Sequence, residues 1–245
     1  MSRTATAAKR FPRIARTMSN GETISLSTPS KMPCYSWSLP AVTTCPGAKV
    51  SMKRAGKNAV CHECYATAGF YNMPNTEKAQ LARFGWIIET LAHDNGAEFV
   101  STMVDMIRES VRAAKVPLFR GHDSGDFFAV AYVRAWIKIA QALPNVRFWF
   151  PTRSWIIQSM LPALQEFGNL PNVSLRPSAL ALDEPAPVIS GFAAGTTVAR
   201  SLPVMESLPG HKVCPATVPG NSPKCADNGC FDCWDRESAK AYLLH

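Results

Sequence analysis

The chain has 245 residues, 47% of them hydrophobic and 18% charged. That balance excludes a wholly disordered polymer and leaves enough apolar material for one sizeable core. No uninterrupted apolar run reaches the roughly 18 residues of a membrane-spanning helix, so no such span is expected. Lys and Arg number 26 against 18 Asp and Glu, a net charge of +8. Arg3, Lys9, Arg10, Arg13 and Arg16 all precede the first acid, Glu22, so the excess is mostly a property of the N-terminus and weak support for a nucleic-acid-binding face.

Residues 1–24 are expected to form a disordered basic tail. Met1 to Asn20 are rich in Ala, Arg, Thr and Ser, carry no acid, and lack the apolar core of a secretory signal. The composition also fits an organelle transit peptide, and a tail of this kind would give a weak electrostatic grip on nucleic acid. Residues 25–245 then form a single α/β domain. Within it, 25–75 is an N-terminal cysteine segment, 76–205 the α/β core and 206–245 a C-terminal cysteine segment. Without a secretory signal the chain is expected in a reducing cytoplasm, where clustered thiols serve more often as metal ligands or catalytic groups than as disulfides.

The eight cysteines fall into two groups. Cys34, Cys45, Cys61 and Cys64 lie near one end, Cys214, Cys225, Cys230 and Cys233 near the other, and none lies between. Each group contains a C-x-x-C pair, Cys61/Cys64 and Cys230/Cys233, a spacing that lets two thiolates meet one metal from a tight turn. The C-terminal group, C-x10-C-x4-C-x2-C, sits among Pro215, Pro219, Gly220, Pro223 and Gly229. A segment with so little core of its own would gain its order from a metal. Four thiolates suit structural zinc or a second 4Fe–4S cluster equally. In the N-terminal group, ligation by Cys45, Cys61 and Cys64 alone would leave one iron of a 4Fe–4S cluster open, as chemistry requires. Ligation by Cys34 as well would close the site.

Hydrophobic spacing predicts a helix over Thr76 to Asn95, with Leu81, Phe84, Ile87, Ile88 and Leu91 on its core face. A second is predicted over Ala97 to Ala114, with Phe99, Met103, Met106, Ile107 and Val111 inward. The pattern then alternates. A strand is predicted over Val116 to Arg120, a helix within Phe127 to Leu143, a strand over Val146 to Phe150, a helix through Leu164, and a strand over Val173 to Arg176. Later strand candidates are Pro187 to Ile189, Thr196 to Arg200 and His211 to Cys214. This β-α-β-α-β order implies a parallel sheet, in which function collects at the carboxyl ends of the strands.

Polar residues stand at those ends. The first strand runs into Gly121-His122-Asp123-Ser124-Gly125-Asp126, the second into Thr152-Arg153-Ser154, the third into Arg176-Pro177-Ser178. Ser154 is expected to cap the next helix. Two acids, a His and a flexible Gly within six residues exceed what a cap needs, so His122, Asp123 and Asp126 are the candidate catalytic residues. There is no P-loop, no G-x-G-x-x-G fingerprint and no H-E-x-x-H helix.

Taken together, these segments resemble the gene product 88 domain proteins of phages and plasmids. The resemblance is carried by Ser38-Leu39-Pro40 with Cys45-Pro46-Gly47-Ala48, Cys61-x2-Cys64-Tyr65-Ala66, and His122-x-Ser124-Gly125-Asp126-Phe127-Phe128 with Tyr132 and Trp136. Cys230-x2-Cys233-Trp234-Asp235 and the closing Ala241-Tyr242-x2-His245 add to it, and it spans roughly Ser25 to His245. It supplies a kinship and no reaction. A more distant likeness is to radical-SAM enzymes. That likeness implies a partial (β/α) barrel-like parallel sheet and a 4Fe–4S cluster held by Cys45, Cys61 and Cys64. It also implies S-adenosylmethionine (SAM) bound with its amino group at the Gly125-Asp126 pair, Ser124 beside it, and its carboxylate on Arg153 or Arg176. Fifteen residues separate Cys45 from Cys61, so the compact C-x3-C-x2-C spacing of that family is absent.

Two functional expectations follow. The first is an iron–sulfur enzyme of radical-SAM type, with an auxiliary cluster or zinc at the C-terminal cysteines and a substrate over the strand ends. The alternative is a structural-zinc phage protein that binds nucleic acid without catalysis, in the cytoplasm of a bacterial host.

Overall fold

The computed structural model describes residues 11–244. The first described segment is an antiparallel hairpin, β1 (Ala15–Thr17) and β2 (Thr23–Ser25). This corrects the expectation of a disordered tail over 1–24 for its described part; residues 1–10 lie outside the described residues. The physical reason is burial. Ile14, Met18, Ile24 and Leu26 join the main core, Phe11 stacks on Tyr35, and Arg16 pairs with Glu109 at 2.6 Å. Arg16 is therefore not a free cation waiting for a polyanion.

The chain continues through β3 (Ser36–Trp37), α1 (Pro46–Ala55), α2 (Pro74–His93) and α3 (Ala97–Ala114). Next come β4 (Leu118–Gly121), α4 (Val130–Ala142), β5 (Arg147–Thr152), α5 (Leu161–Gly168) and β6 (Val173–Pro177). Strands β3, β4, β5 and β6 pair in that order, all parallel. The shift from helical to alternating periodicity marks these elements in the sequence because each strand has one apolar face. Phe119, Phe148, Phe150, Val173 and Leu175 point into the main core, where Phe99, Trp136, Leu164 and Phe167 of α3, α4 and α5 meet them. Burying one such aromatic stabilises the fold by roughly 1.5–3 kcal/mol.

Side chains alternate along each strand, so Leu118, Arg120, Trp149, Ser174 and Arg176 face the other way. That face is covered by the C-terminal segment. Trp234 stacks edge-on against Trp149 at 5.3 Å and donates its indole N–H to the Phe119 carbonyl at 3.0 Å. The Ser174 hydroxyl donates to the Asp235 carbonyl at 2.8 Å. The remaining elements are β7 (Thr196–Ala199), α6 (Leu202–Ser207), β8 (His211–Val213) and β9 (Ala239–Leu243), with strand order β7-β9-β8, again parallel. A parallel bridge between Ser178 and Thr196 links the two sheets. The strand candidate at Pro187 to Ile189 forms no strand.

Helix α2 forms as predicted but is turned. Leu81 and Ile88 are 58% and 46% exposed, whereas Arg83 is 4% exposed. Arg83 donates through Nε to the Ser25 carbonyl at 2.9 Å and through a terminal nitrogen to Ser38 Oγ at 2.7 Å, and it lies 5.3 Å from the centroid of the Trp37 ring. Its aliphatic stem and charged tip both find partners inside, and the helix rotates to deliver them.

Candidate functional site

Helix α1 and the turns after it carry three cysteines to the carboxyl end of the four-stranded sheet. Cys45 immediately precedes α1, whose first residue, Pro46, has a ring already set to a helical φ. Cys61 lies in a single helical turn, Val60–Glu63, and Cys64 closes it. The turn is anchored: Val60 N–H donates to the Leu180 carbonyl at 3.0 Å, and Ala59 pairs with Ala181. Ser51 on α1 donates to the same Leu180 carbonyl at 2.9 Å. Gly47 is required for this approach, since a Cβ there would lie 2.4 Å from the Arg153 carbonyl oxygen.

The three thiols share one electrostatic environment. Burial first, then the nearby Asp126 and the neighbouring Cys64 and Cys61, push the Cys45 thiol up to about 12. Burial also raises Cys61, against the opposing pull of the Arg153 guanidinium. Cys45, Cys61, Cys64, Asp126 and Arg153 therefore form one neighbourhood beyond the ends of β4 and β5. All eight cysteines are free thiols. Among the described residues, no group of three or more His, Cys, Asp or Glu stands at the spacing of a single metal ion.

Asp126 is buried and well partnered. One carboxylate oxygen accepts from Thr152 Oγ1 at 2.6 Å and from Phe127 N–H at 2.7 Å; the other accepts from Arg153 N–H at 2.8 Å. Burial raises its pKa, and these hydrogen bonds oppose the rise. It ties β4's exit to β5's exit beside the thiols. Arg153 is fixed by its Nε donating to the Ala179 carbonyl at 3.0 Å.

Asp123 sits in a different cluster. Its carbonyl accepts from the Tyr65 hydroxyl at 2.6 Å, and its Oδ2 accepts from Tyr71 at 3.2 Å, while Oδ1 is buried without a hydrogen bond. Arg120 donates to Tyr65 Oη at 3.0 Å and lies 4.6 Å from the centroid of the Trp149 ring. Burial opposes the Arg120 charge, but Tyr65, Asp123, Tyr71 and Cys233 outweigh it and keep the guanidinium charged. Tyr71 and Arg120 were not singled out from the sequence, and Tyr65 entered only as part of the Cys61-x2-Cys64-Tyr65-Ala66 motif. The available signals were the position of Tyr65 directly after Cys64 and of Arg120 two residues before His122.

The other expected cofactor and catalytic residues have different surroundings. His122 points into the aromatic core. Its Nε2 is 3.0 Å from Tyr132 Oη, its ring packs edge-on against Phe127 and Phe150, and burial followed by the Arg120 charge pushes its pKa down to about 3. His122, a catalytic candidate from its place at the strand end, is thus buried among aromatic rings. Ser124 donates through Oγ to the Leu39 carbonyl at 2.8 Å. At Gly125, with φ +80, a Cβ would lie 2.6 Å from Thr44 Oγ1. Both therefore serve to close the β3 and β4 exit loops on each other. Arg176 is fully buried and spends all five N–H donors on the carbonyls of Cys233, Ala194, Ser238, Asp232 and Asp235. It has none left for a ligand carboxylate.

The C-terminal cysteines gather on the far face of the sheet. The thiols of Cys214 and Cys225 are pushed up to about 11 and about 12, each by burial first and then by the neighbouring cysteines Cys233 and Cys230. Cys233 Sγ lies 3.3 Å from Tyr242 Oη. Cys34 belongs here and not with the N-terminal thiols. It is fully buried with Leu118, Trp149, Cys233 and Trp234, and the charges that act on it after burial are those of Arg120 and Cys225.

Among the described residues no helix is long and apolar enough to cross a membrane. No solved structure matches the chain. The Gene 88 protein of Mycobacterium phage D29 is 37% identical over 68 residues, 28% of this chain and 28% of that protein. The Gene 88 protein of Mycobacterium phage L5 is 38% identical over 69 residues, 26% of this chain and 29% of that protein. The chain thus aligns with little more than a quarter of each relative's length. The family model described as Gene product 88 matches residues 6–206, starting and ending earlier than the resemblance seen from Ser25 to His245 and stopping short of Cys214. That match takes in the three-thiol site and all four strands of the central sheet, and the chain belongs to the gene product 88 family.

Proposed function

We propose that the chain is an iron–sulfur protein whose Cys45, Cys61 and Cys64 hold a 4Fe–4S cluster with one open iron, and that it works as a radical-SAM-like enzyme. The observation that carries this reading is the separation of Cys34, buried with Cys233 and Trp234 on the far face of the sheet, from Cys45 at the start of α1 and Cys61 and Cys64 in the turn after it, which leaves three N-terminal thiols as candidates for the cluster. A three-cysteine site leaves a coordination position for a small molecule, whereas four thiolates would close it. Thiols are the donor type such a cluster takes, but the three do not stand at metal-binding spacing among the described residues, so on this reading the Cys61–Cys64 turn and the start of α1 close together when the cluster binds. Burial raises the Cys45 and Cys61 thiols, and a cationic centre that binds thiolates would offset that cost.

The sequential order of parallel strands supports the partial (β/α) barrel-like reading, with the site where such folds place their chemistry. Bound there, such a cluster would supply an electron to the sulfonium of S-adenosylmethionine. The chain's own part is to hold and shield it. Asp126 and Arg153 flank the thiols, and Arg153 is the residue for a carboxylate partner. The C-terminal cysteines would hold a second cluster or zinc that orders the segment covering the far face. We place the protein in the reducing cytoplasm of a bacterial host, where its thiols persist.

Anaerobic purification followed by metal and sulfide analysis tests this reading. A brown protein containing iron and sulfide that turns over S-adenosylmethionine under a one-electron reductant is the expected result. A colourless protein carrying zinc alone would end it and leave the structural-zinc alternative.

A further inference from the structure

Between Glu22 and Glu63 the chain carries no acid, yet it carries Lys31, Lys49, Lys53, Arg54 and Lys57. The last four are exposed on and just after α1. The helix buries Gly47, Ala48 and Ser51 against the strand ends. Lys49 and Lys53, four residues apart, lie one above the other on the opposite side. Among the described residues none of these four cations makes an ion pair. An uncompensated row of cations costs self-repulsion, and a polyanion relieves it.

Directly after this helix come Cys61 and Cys64, and directly after those come two exposed aromatics. Phe70 is 78% exposed and Tyr65 is 49% exposed, with Tyr71 packed against Tyr65 at 5.7 Å between ring centroids. The Tyr65 hydroxyl is tied to the Asp123 carbonyl, so its half-exposed ring is held in place. A cationic helix on one side, and the anchored Tyr65 ring and exposed Phe70 ring on the other, thus flank Cys61 and Cys64 along the chain.

We propose that this surface binds single-stranded nucleic acid, with Lys49, Lys53, Arg54 and Lys57 on the phosphates and Phe70 and Tyr65 stacked against bases. An acidic protein would use the cations but not the rings. A duplex would keep its bases stacked on one another and away from them. The surface stands whether or not the thiols hold iron. That the bound strand is also the substrate rests on the cluster reading above.

The test is fluorescence anisotropy with a labelled mixed-sequence single-stranded DNA 20-mer, the corresponding RNA and the matching duplex, each over a salt series. Single strands should bind more tightly than the duplex. The triple variant Lys49→Glu, Lys53→Glu, Lys57→Glu should bind at least about tenfold more weakly and flatten the salt slope by about 2, since each single-strand phosphate contact contributes about 0.7. Phe70→Ala should weaken binding at least about fivefold with little change in slope. All substituted side chains are exposed, and circular dichroism confirms the fold of each variant. Absence of single-strand binding at low salt, a triple variant that binds like the parent, or a duplex preference unaffected by Phe70→Ala would each overturn the proposal. Equally strong competition by polyglutamate would also overturn it, in favour of an acidic protein partner. Metal content of the triple variant should equal that of the parent, so the fate of the cluster reading is scored separately.

Discussion

Arg176 Nε donates to the Cys233 carbonyl at 3.0 Å, and this bond fastens the C-terminal cysteine turn to the underside of β6. The same guanidinium serves three further carbonyls along that segment, those of Asp232, Asp235 and Ser238, and the carbonyl of Ala194 before β7. Arg176 is therefore the central peg of a polypeptide flap that has few apolar contacts of its own. Arg176→Met leaves all five acceptors unpaired, and at about 1–3 kcal/mol per buried group the loss should exceed about 4 kcal/mol, while Arg176→Lys, with three donors on one nitrogen, leaves at least two unpaired and should lose less. Urea denaturation followed by tryptophan fluorescence, with Trp149 and Trp234 as reporters, measures it. A loss below about 1 kcal/mol would show that the carbonyls find other donors.

His122 supplies a pH dependence with a defined sign. Burial, then the Arg120 charge, holds the imidazole neutral in the fold, with its pKa pushed down to about 3. Above the unfolded value of about 6.5 neither state carries the proton, and the group is silent. As pH falls from about 6.5 toward 3, the unfolded chain takes up a proton that the fold refuses. Stability then drops by up to about 1.4 kcal/mol per pH unit. His122→Asn tolerates the positive φ of 54° and removes the titration. Stability curves of the two proteins should converge as pH is lowered, with the contributions of Asp123 and Asp126 common to both. Curves that stay parallel from pH 7 to 4 would contradict the buried neutral imidazole.

The two thiol groups should come apart on substitution. Cys45→Ala, Cys61→Ala and Cys64→Ala should each abolish the N-terminal centre, while Cys34→Ala should spare it and disturb the C-terminal group instead. Iron and zinc content per chain, with visible absorption, reads both centres at once. Loss of the N-terminal signal in Cys34→Ala would refute the three-thiol arrangement.

Gly47→Ala isolates geometry from ligation, because it removes no thiol. Its Cβ would meet the Arg153 carbonyl at 2.4 Å, which obliges α1 to retreat from the strand ends and take Cys45 away from Cys61 and Cys64. We expect a loss of metal at the N-terminal centre of at least about tenfold, with thermal stability lowered by about 1–3 kcal/mol from the forced shift. Undiminished metal binding would mean that the site tolerates a displaced helix.

The central sheet was legible because its residues obey one rule at a time: apolar faces every second residue in the strands, every third or fourth in α3, α4 and α5. Where one residue serves two environments, the pattern misleads. Arg83 counts as solvent-facing by type, yet its partners at Ser25, Ser38 and Trp37 draw it inward and turn α2, leaving Leu81 and Ile88 outside. The hairpin of β1 and β2 was hidden by its arginines, although Ile14 and Ile24 lie in the core. At the site, Asp126 and Arg153 were marked by their place at strand ends. Chain proximity put Cys34 with Cys45, but β3 separates them: Cys34 enters on the far face of the sheet, and Cys45 emerges at its carboxyl end.

The parallel order β7-β9-β8 sets the timing of assembly. Residues 239–243 occupy the middle position, so until that late stretch arrives His211–Val213 has no neighbouring strand and Thr196–Ala199 has only its bridge to Ser178. During synthesis the helical half and its four strands are free to form while this second sheet waits. Refolding from denaturant is then a two-tempo process, with the slow beat set by closing a long loop around the final strand. A ribosome stalled just before Ala239 would hold a chain with its central sheet built and its second sheet unpaired.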